Sequence, residues 1–215
     1  MKIGFLSSVE VGYKTLKQLY LKGVPVELVL SLHPDLASRT SGYMDFSQIA
    51  CDNKSQHFFI KNINSSRTET IIRNSEIDLL VVCGFQRLLK DKILQIPSKG
   101  CVGFHASLLP AFRGRAPVNW AIIEGANQTG VSFFYLDVEA DAGDLIDQIA
   151  FPIEYEDEVH SIYEKVNNAY LQLLNKHLKA LEDGTLPRLQ NPGKNAPMYP
   201  ARTPEDDKIN WNWSS

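Results

Sequence analysis

An open, mostly parallel α/β sheet of the Rossmann-like type, with an antiparallel edge and a long helix towards the C-terminus, is the fold class this sequence predicts. Three observations predict it. Short continuous runs rich in Val, Ile, Leu and Phe recur at residues 3–6, 26–32, 57–60, 77–82 and 101–104. Runs of that length suit strands buried on both faces beneath crossover helices. Two further runs, 131–136 and 145–153, flank an acidic turn at 137–143 and are expected to pair as an antiparallel edge. Finally, Val159, Ile162, Tyr163, Val166, Ala169, Tyr170, Leu173, Leu174, His177, Leu178 and Leu181 return every three or four residues. That spacing puts them on one face of a long helix, which Gly184 ends.

The chain opens as β-α-β. Val11, Leu16, Leu19 and Tyr20 fall mostly at helical spacing between the first two strand runs, and Gly23 closes the stretch. Past Gly184, the prolines 187, 192, 197, 200 and 204 oppose regular structure. A catalytic domain over 1–184 is therefore expected, followed by an irregular tail over 185–215 that packs on the domain or at a dimer interface. Trp211 and Trp213 in that tail are expected to pack against the parent domain, with base stacking or a dimer contact as alternatives. No internal repeat or low-complexity tract interrupts the chain.

Composition narrows the function classes. At 215 residues, 44% hydrophobic and 22% charged, the chain has ordinary globular proportions. No apolar run approaches the ~18 residues of a membrane span, and the start, MKIGFLSS, is too brief for a secretory signal. A soluble, cytoplasmic protein without a membrane partner is the expectation. Cys51, Cys83 and Cys101 are odd in number and widely spaced, which suggests buried thiols rather than disulfides or zinc. No His, Cys or carboxylate cluster has metal-ligand spacing, so no metal is expected. A net charge of −3 without a basic block favours a small substrate over nucleic acid.

The segment 103–117, GFHASLLPAFRGRAP, departs from simple strand or helix patterning. His105 follows a buried-type strand, and the chain then turns through Pro110 and Gly114 before a helix opens near Ala116 or Pro117. In open α/β sheets ligands bind beyond the carboxyl ends of strands, where His105 would sit.

Here the sequence resembles the folate-dependent formyltransferases, which include the methionyl-tRNA, glycinamide ribonucleotide and nucleotide-sugar enzymes. That family carries Asn-x-His-x-Ser-Leu-Leu-Pro-x-x-Arg-Gly, then Gly-x-x-x-Thr-Gly-Val, then an Asp beside a glycine. This chain has His105, Ser107 to Pro110, Arg113 and Gly114, then Gly125, Thr129, Gly130 and Val131, then Asp141 to Gly143. The runs CGFQRLL at 83–89 and PARTPEDDKINW at 200–211 extend the likeness over nearly the whole chain. The resemblance implies formyl transfer from 10-formyltetrahydrofolate, with His105 and Asp141 catalytic: the imidazole donates to the developing oxyanion, and a neighbouring carboxylate holds it charged or polarised. It also implies a pterin slot between Phe85, Gln86, Arg87, Leu88 and Leu89 on one side and Leu136, Asp137, Val138, Glu139 and Ala140 on the other. Ser107, Leu108, Leu109 and Pro110 join the folate contacts and fix the loop that carries His105.

One position departs from the pattern. The family asparagine two residues before the histidine is Gly103 here, and removing one oxyanion donor typically costs about 3–4 kcal/mol. Three readings stay open: an introduced exchange, a native variant whose donor is His105 alone or a bound water, and a weak homologue.

The acceptor follows from differences within the family. The turn 7–13, SSVEVGY, places Glu10 where glycinamide ribonucleotide enzymes grip a phosphate. The chain stops at Ser215, without the basic barrel of the tRNA enzymes. The nucleotide-sugar group remains, whose loop is similar to residues 35–46 here. Arg39 is expected to meet a pyrophosphate and Tyr43 a sugar or base, while Arg113 reaches an anionic group or forms a structural ion pair. A non-catalytic binding homologue and a tRNA formyltransferase core are the alternatives, and a homodimer is compatible with all of them.

Overall fold

Strands form where the apolar runs can be covered on both faces, and in the computed structural model, which describes residues 1–193 and 196–208, every expected run is a strand. The tail tryptophans Trp211 and Trp213 lie outside those residues. Five strands are parallel: β1 (Ile3–Ser7), β2 (Val26–Leu32), β3 (Gln56–Ile60), β4 (Leu79–Val82) and β5 (Cys101–His105). A two-residue β6 (Arg113–Gly114) follows, and then β7 (Gln128–Tyr135) and β8 (Leu145–Pro152), which pair antiparallel as expected. The order β3-β2-β1-β4-β5-β7-β8 reverses direction between β1 and β4. A crevice opens at such a reversal, at the carboxyl ends of the strands.

Helices cover both faces. Leu16 and Leu19 of α1 (Glu10–Leu21) share one core layer with Ile162, Val166, Leu173 and Leu174. Ile72 and Ile93 sit in the other layer, against Leu28, Leu30 and Leu80. Those two residues belong to α3 (Ser66–Asn74) and α4 (Asp91–Leu94); α2 (Ser47–Asp52) precedes them and α5 (Pro117–Ile123) comes later. Of the short helices, α3 carries only Ile71 and Ile72 as apolar residues. α3 is fixed instead by its cap, where the Ser65 hydroxyl accepts from the Thr68 amide.

The long amphipathic helix is α6 (Val159–Asp183), and Gly184 terminates it at φ 67° as the sequence predicts. Asp147 of β8 accepts from Lys176 and lies 2.7 Å from His177 Nε2, tying the helix to the sheet edge. Phe104 stacks between Phe133 and Tyr170, at 4.5 and 5.0 Å between centroids, joining β5, β7 and α6 beside the end of β5.

Two expectations need correction. The tail is not wholly irregular: Met198–Tyr199 forms β9 in parallel with β6, and Pro204–Asp207 makes a 3-10 turn. Proline removes a donor, but the neighbouring Met and Tyr keep theirs. Of the three cysteines, Cys83 and Cys101 are buried thiols pushed up to about 12 by desolvation, but Cys51 is exposed at the end of α2.

Acid should loosen the start of α6. A hydrogen bond from Lys165, with the Glu154 amide and the Ser161 hydroxyl adding to it, brings the Asp157 carboxyl down to about 2. The folded value lies below an unfolded value of about 3.9, so this stabilisation is present above ~pH 4 and is lost as pH falls through the folded value. Urea melts of Asp157→Ala should show a midpoint below that of the unchanged chain at neutral pH, with the gap narrowing between about pH 4 and 2. A gap of constant size across that interval would contradict the assignment.

Candidate active site

β5 ends at His105, and the next nine residues are folded to hold its ring. Ser132 of β7 stands opposite His105 in the strand register and is fully buried. Its hydroxyl donates to Ser107 O at 2.7 Å and accepts from the amide of Leu109 at 2.9 Å and from Gln148 Nε2 at 2.8 Å. Gln148 Nε2 also donates to Leu109 O, and Ser107 Oγ to Ala111 O. Leu108 packs where a side chain at Gly130 would otherwise lie, and a cis bond precedes Pro110. The loop is thereby closed on itself from Ser107 to Ala111.

The loop delivers one carbonyl to the ring. Phe112, at φ 53°, places its oxygen 2.9 Å from His105 Nε2. A carbonyl can only accept, so Nε2 carries the hydrogen. The other ring nitrogen, Nδ1, faces Asp141 Oδ1 at 3.7 Å, with the two side chains 10% and 17% exposed. That separation makes an ion pair whenever Nδ1 takes a second proton. The nitrogen free to exchange a proton is therefore the one beside the carboxylate.

Asp141 is held as closely as the histidine. Its φ is 56°, in the left-handed region that costs an L-residue about 1–2 kcal/mol. Surrounding bonds offset that cost. Oδ2 accepts from the Gly114 amide at 2.9 Å, and Asn191 Nδ2 donates to the carbonyls of Asp141 and Gly143 at 3.1 and 3.2 Å. Gly143 itself is required, because a Cβ there would lie 1.9 Å from Tyr135 O.

Arg113 occupies a different place from the one expected of a substrate contact. Its side chain is 1% exposed and donates to Gly193 O, Ala140 O and Glu139 Oε1. A guanidinium enclosed in this way joins β6, the turn before Asp141 and the tail, and presents nothing to a ligand.

The loops expected to flank a pterin meet at a cavity of about 460 Å³ lined by Asn64, Glu69, residues 88–93 and Val138. Leu88 and Val138 expose 66% and 56% of their surface there and give the cavity an apolar rim. Leu89 is buried, Phe85 packs partly into the core, Gln86 is exposed, and Arg87 donates to Lys61 O. Asn64 closes this loop, donating to Leu88 O and accepting from the Lys90 amide. Leu136 packs on Leu109, Phe134 and Leu145, while Asp137 accepts from the Val138 amide.

Gly103 is ordinary extended strand, paired with Val82 and Phe134. A Cβ there would meet Leu136 Cδ2 at 3.0 Å and Val82 O at 3.2 Å. On the acceptor side, Arg39 is exposed at the end of a 3-10 turn. Tyr43 bridges to Val9 and donates from its phenol to Leu32 O, which lays this loop over the turn between β1 and α1. Sequence reasoning missed Asn64, Ser132, Gln148 and Asn191. Only Ser132 left a trace, as a polar residue inside an apolar run.

Residues 6–178 match a family model described as Formyl transferase. A methionyl-tRNA formyltransferase of Caldanaerobacter subterraneus is 30% identical across 98% of this chain and 69% of its own length. A sugar N-formyltransferase from a Shewanella species superposes with a TM-score of 0.78 over 100% of this chain and 83% of its own, at 17% identity. WlaRD, a sugar 3N-formyl transferase crystallised in the presence of dTDP and 5-N-formyl-THF, gives 0.75 over 100% and 75%, at 18% identity. At such identities the two structures show likeness of fold alone.

Replacing Arg113 by Met should cost about 1–3 kcal/mol in urea denaturation, as when buried carbonyls lose their donor, since Glu139 is half-exposed. A loss below about 1 kcal/mol, the level of an exposed pair, would show that the guanidinium does not hold the three segments together.

Proposed function

The chain belongs to the formyl transferase family, and from that premise we propose that it moves a formyl group from 10-formyltetrahydrofolate to the amine of a nucleotide-linked amino-deoxysugar. The observation that carries the reading is the His105–Asp141 pair, one ring nitrogen committed to Phe112 O and the other 3.7 Å from the carboxylate.

Bound folate would supply a formyl group on nitrogen as the electrophile. The cavity beside Leu88 and Val138 fits it: about 460 Å³ lies within the usual range for small-molecule sites, and its apolar walls suit a flat ring. Residues 85–89 and 136–140 are proposed to hold it. The formyl-THF present with WlaRD supports a folate donor.

Protonated on Nδ1, His105 would present an N–H to negative charge developing on the formyl oxygen, and Asp141 would balance the ring's charge. Because a fixed dipole needs no reorganisation during reaction, the two anchored loops matter as much as the two side chains. As the amine bonds to the formyl carbon and the carbon's bond to the folate nitrogen breaks, Asp141 would also order the water that carries the amine's proton to that nitrogen.

The sugar acceptor is supported by the Shewanella enzyme and by WlaRD with its dTDP, and by a loop that lays Tyr43 over the β1–α1 turn and leaves Arg39 exposed. A net charge of −3 favours a small acceptor over an RNA. The match to a methionyl-tRNA formyltransferase supports a second reading, in which the acceptor is charged tRNA. Formylation assays with a panel of dTDP-, UDP- and GDP-linked amino sugars, run beside methionyl-tRNA, separate the two. Transfer to tRNA alone would overturn the sugar reading, and folate binding without any transfer would favour a binding homologue.

His105→Ala and Asp141→Asn should each slow formyl transfer by at least about a hundredfold in folded protein; near-normal turnover in either would remove it from the site. Gly103→Asn, at a position whose backbone is extended, should raise the single-turnover rate about tenfold, equivalent to ~1.4 kcal/mol, provided that Leu136 turns aside and the strand gives slightly at the carbonyl of Val82. No rise in a folate-binding variant would mean that another group already serves as the second donor.

A further inference from the structure

We propose that Asn191, from the tail, is a positioning residue that sets the geometry of Asp141; the inference rests on the catalytic reading of Asp141 above.

The side chain is almost fully buried, at 5% exposure, and uses its whole amide head. Nδ2 donates to the carbonyls of Asp141 and Gly143, and Oδ1 accepts from the amide of Gly193. Asparagine alone among side chains of its length offers two donor hydrogens and an acceptor in one plane. Aspartate has the same shape and no donor.

The two carbonyls bracket the residue whose backbone is left-handed at φ 56°. An L-residue persists there only where its surroundings over-determine it. Three groups do so. The Gly114 amide holds the Asp141 carboxylate, Gly143 alone fits against Tyr135 O, and Asn191 holds the carbonyls on the other side of the turn. Of these, only Asn191 comes from beyond α6, some fifty residues away in the chain.

Gly193, two residues on, has no room to move. A Cβ at Gly193 would lie 1.9 Å from Pro110 Cβ, and Gly193 O receives Arg113. Residues 191–193 are therefore wedged between the His105 loop and the Asp141 turn. The tail completes the site without supplying any group that reacts.

A catalytic group displaced by about 1 Å loses on the order of a hundredfold in rate. Asn191→Asp and Asn191→Ala should each lower the single-turnover formyl-transfer rate about tenfold or more, with binding of 5-formyltetrahydrofolate changed less than about twofold. In an Asp141→Asn background the same substitutions should lower the rate by less than about twofold, because the group they position is gone. An equal loss in both backgrounds, or folate binding weakened in step with rate, would overturn the proposal and leave a general structural role.

A second readout needs no turnover. Exchange of the Gly114 amide, which donates to Asp141 Oδ2, should speed up at least about tenfold in Asn191→Ala while the amides of β1 and β4 hold their protection. Unchanged Gly114 exchange overturns the positioning role whether or not the protein transfers formyl. An unchanged chain that transfers formyl to no acceptor, with Gly114 exchange still accelerated in the variant, sinks the formyltransferase reading and leaves the positioning intact.

Discussion

One hydrogen bond orders the centre of this molecule, the donation from His105 Nε2 to the carbonyl of Phe112. It fixes which ring nitrogen is spent on the fold and which is left for chemistry. For the carbonyl to reach the ring, Phe112 must adopt a positive φ, and the loop before it must close through Ser107, Ser132 and Gln148. Directly after it comes Arg113, whose buried guanidinium fastens the far side of the same turn. A residue in the left-handed region between two anchors stores strain that the surrounding bonds offset, the usual condition of a backbone held for function.

The sheet explains why this happens at β5. The strand order reverses between β1 and β4, and the loops after β1, β4 and β5 project from one edge. The cavity at Leu88 lies after β4, Tyr43 folds over the turn after β1, and His105 ends β5. β7 runs antiparallel to β5, with Ser132 beside His105 and Tyr135 beside Val102, so the turn joining β7 to β8 folds back along the sheet to bring Asp141 to His105.

Much of this was legible in the sequence. Strand runs buried on both faces announce themselves by composition, and α6 by a repeat sustained over 25 residues. His105 was visible because a polar residue closes an apolar strand, and Asp141 through the resemblance to the folate-dependent formyltransferases, which carry an Asp beside a glycine at that point. The short helices were not, since α3 offers only Ile71 and Ile72 as an apolar stripe and starts at a capping serine. Nor were the partners that hold the site. Asn64 and Asn191 make their bonds to backbone atoms, and such bonds leave no spacing to read. Arg113 was seen but not placed, because a guanidinium serves a phosphate or a set of carbonyls equally well. The choice between them is made by residues far along the chain, Glu139 and Gly193.

Nitrogen-15 NMR of histidine-labelled protein reads the central claim directly, since each ring nitrogen reports whether it carries hydrogen. At a pH where the ring is neutral, His105 is expected as the Nε2–H tautomer, with Nδ1 bare and facing Asp141. Its Nε2 signal should move in Phe112→Gly, where the turn is free to relax. An Nδ1–H tautomer would contradict the account, because a bare Nε2 has no hydrogen to donate to the carbonyl of Phe112.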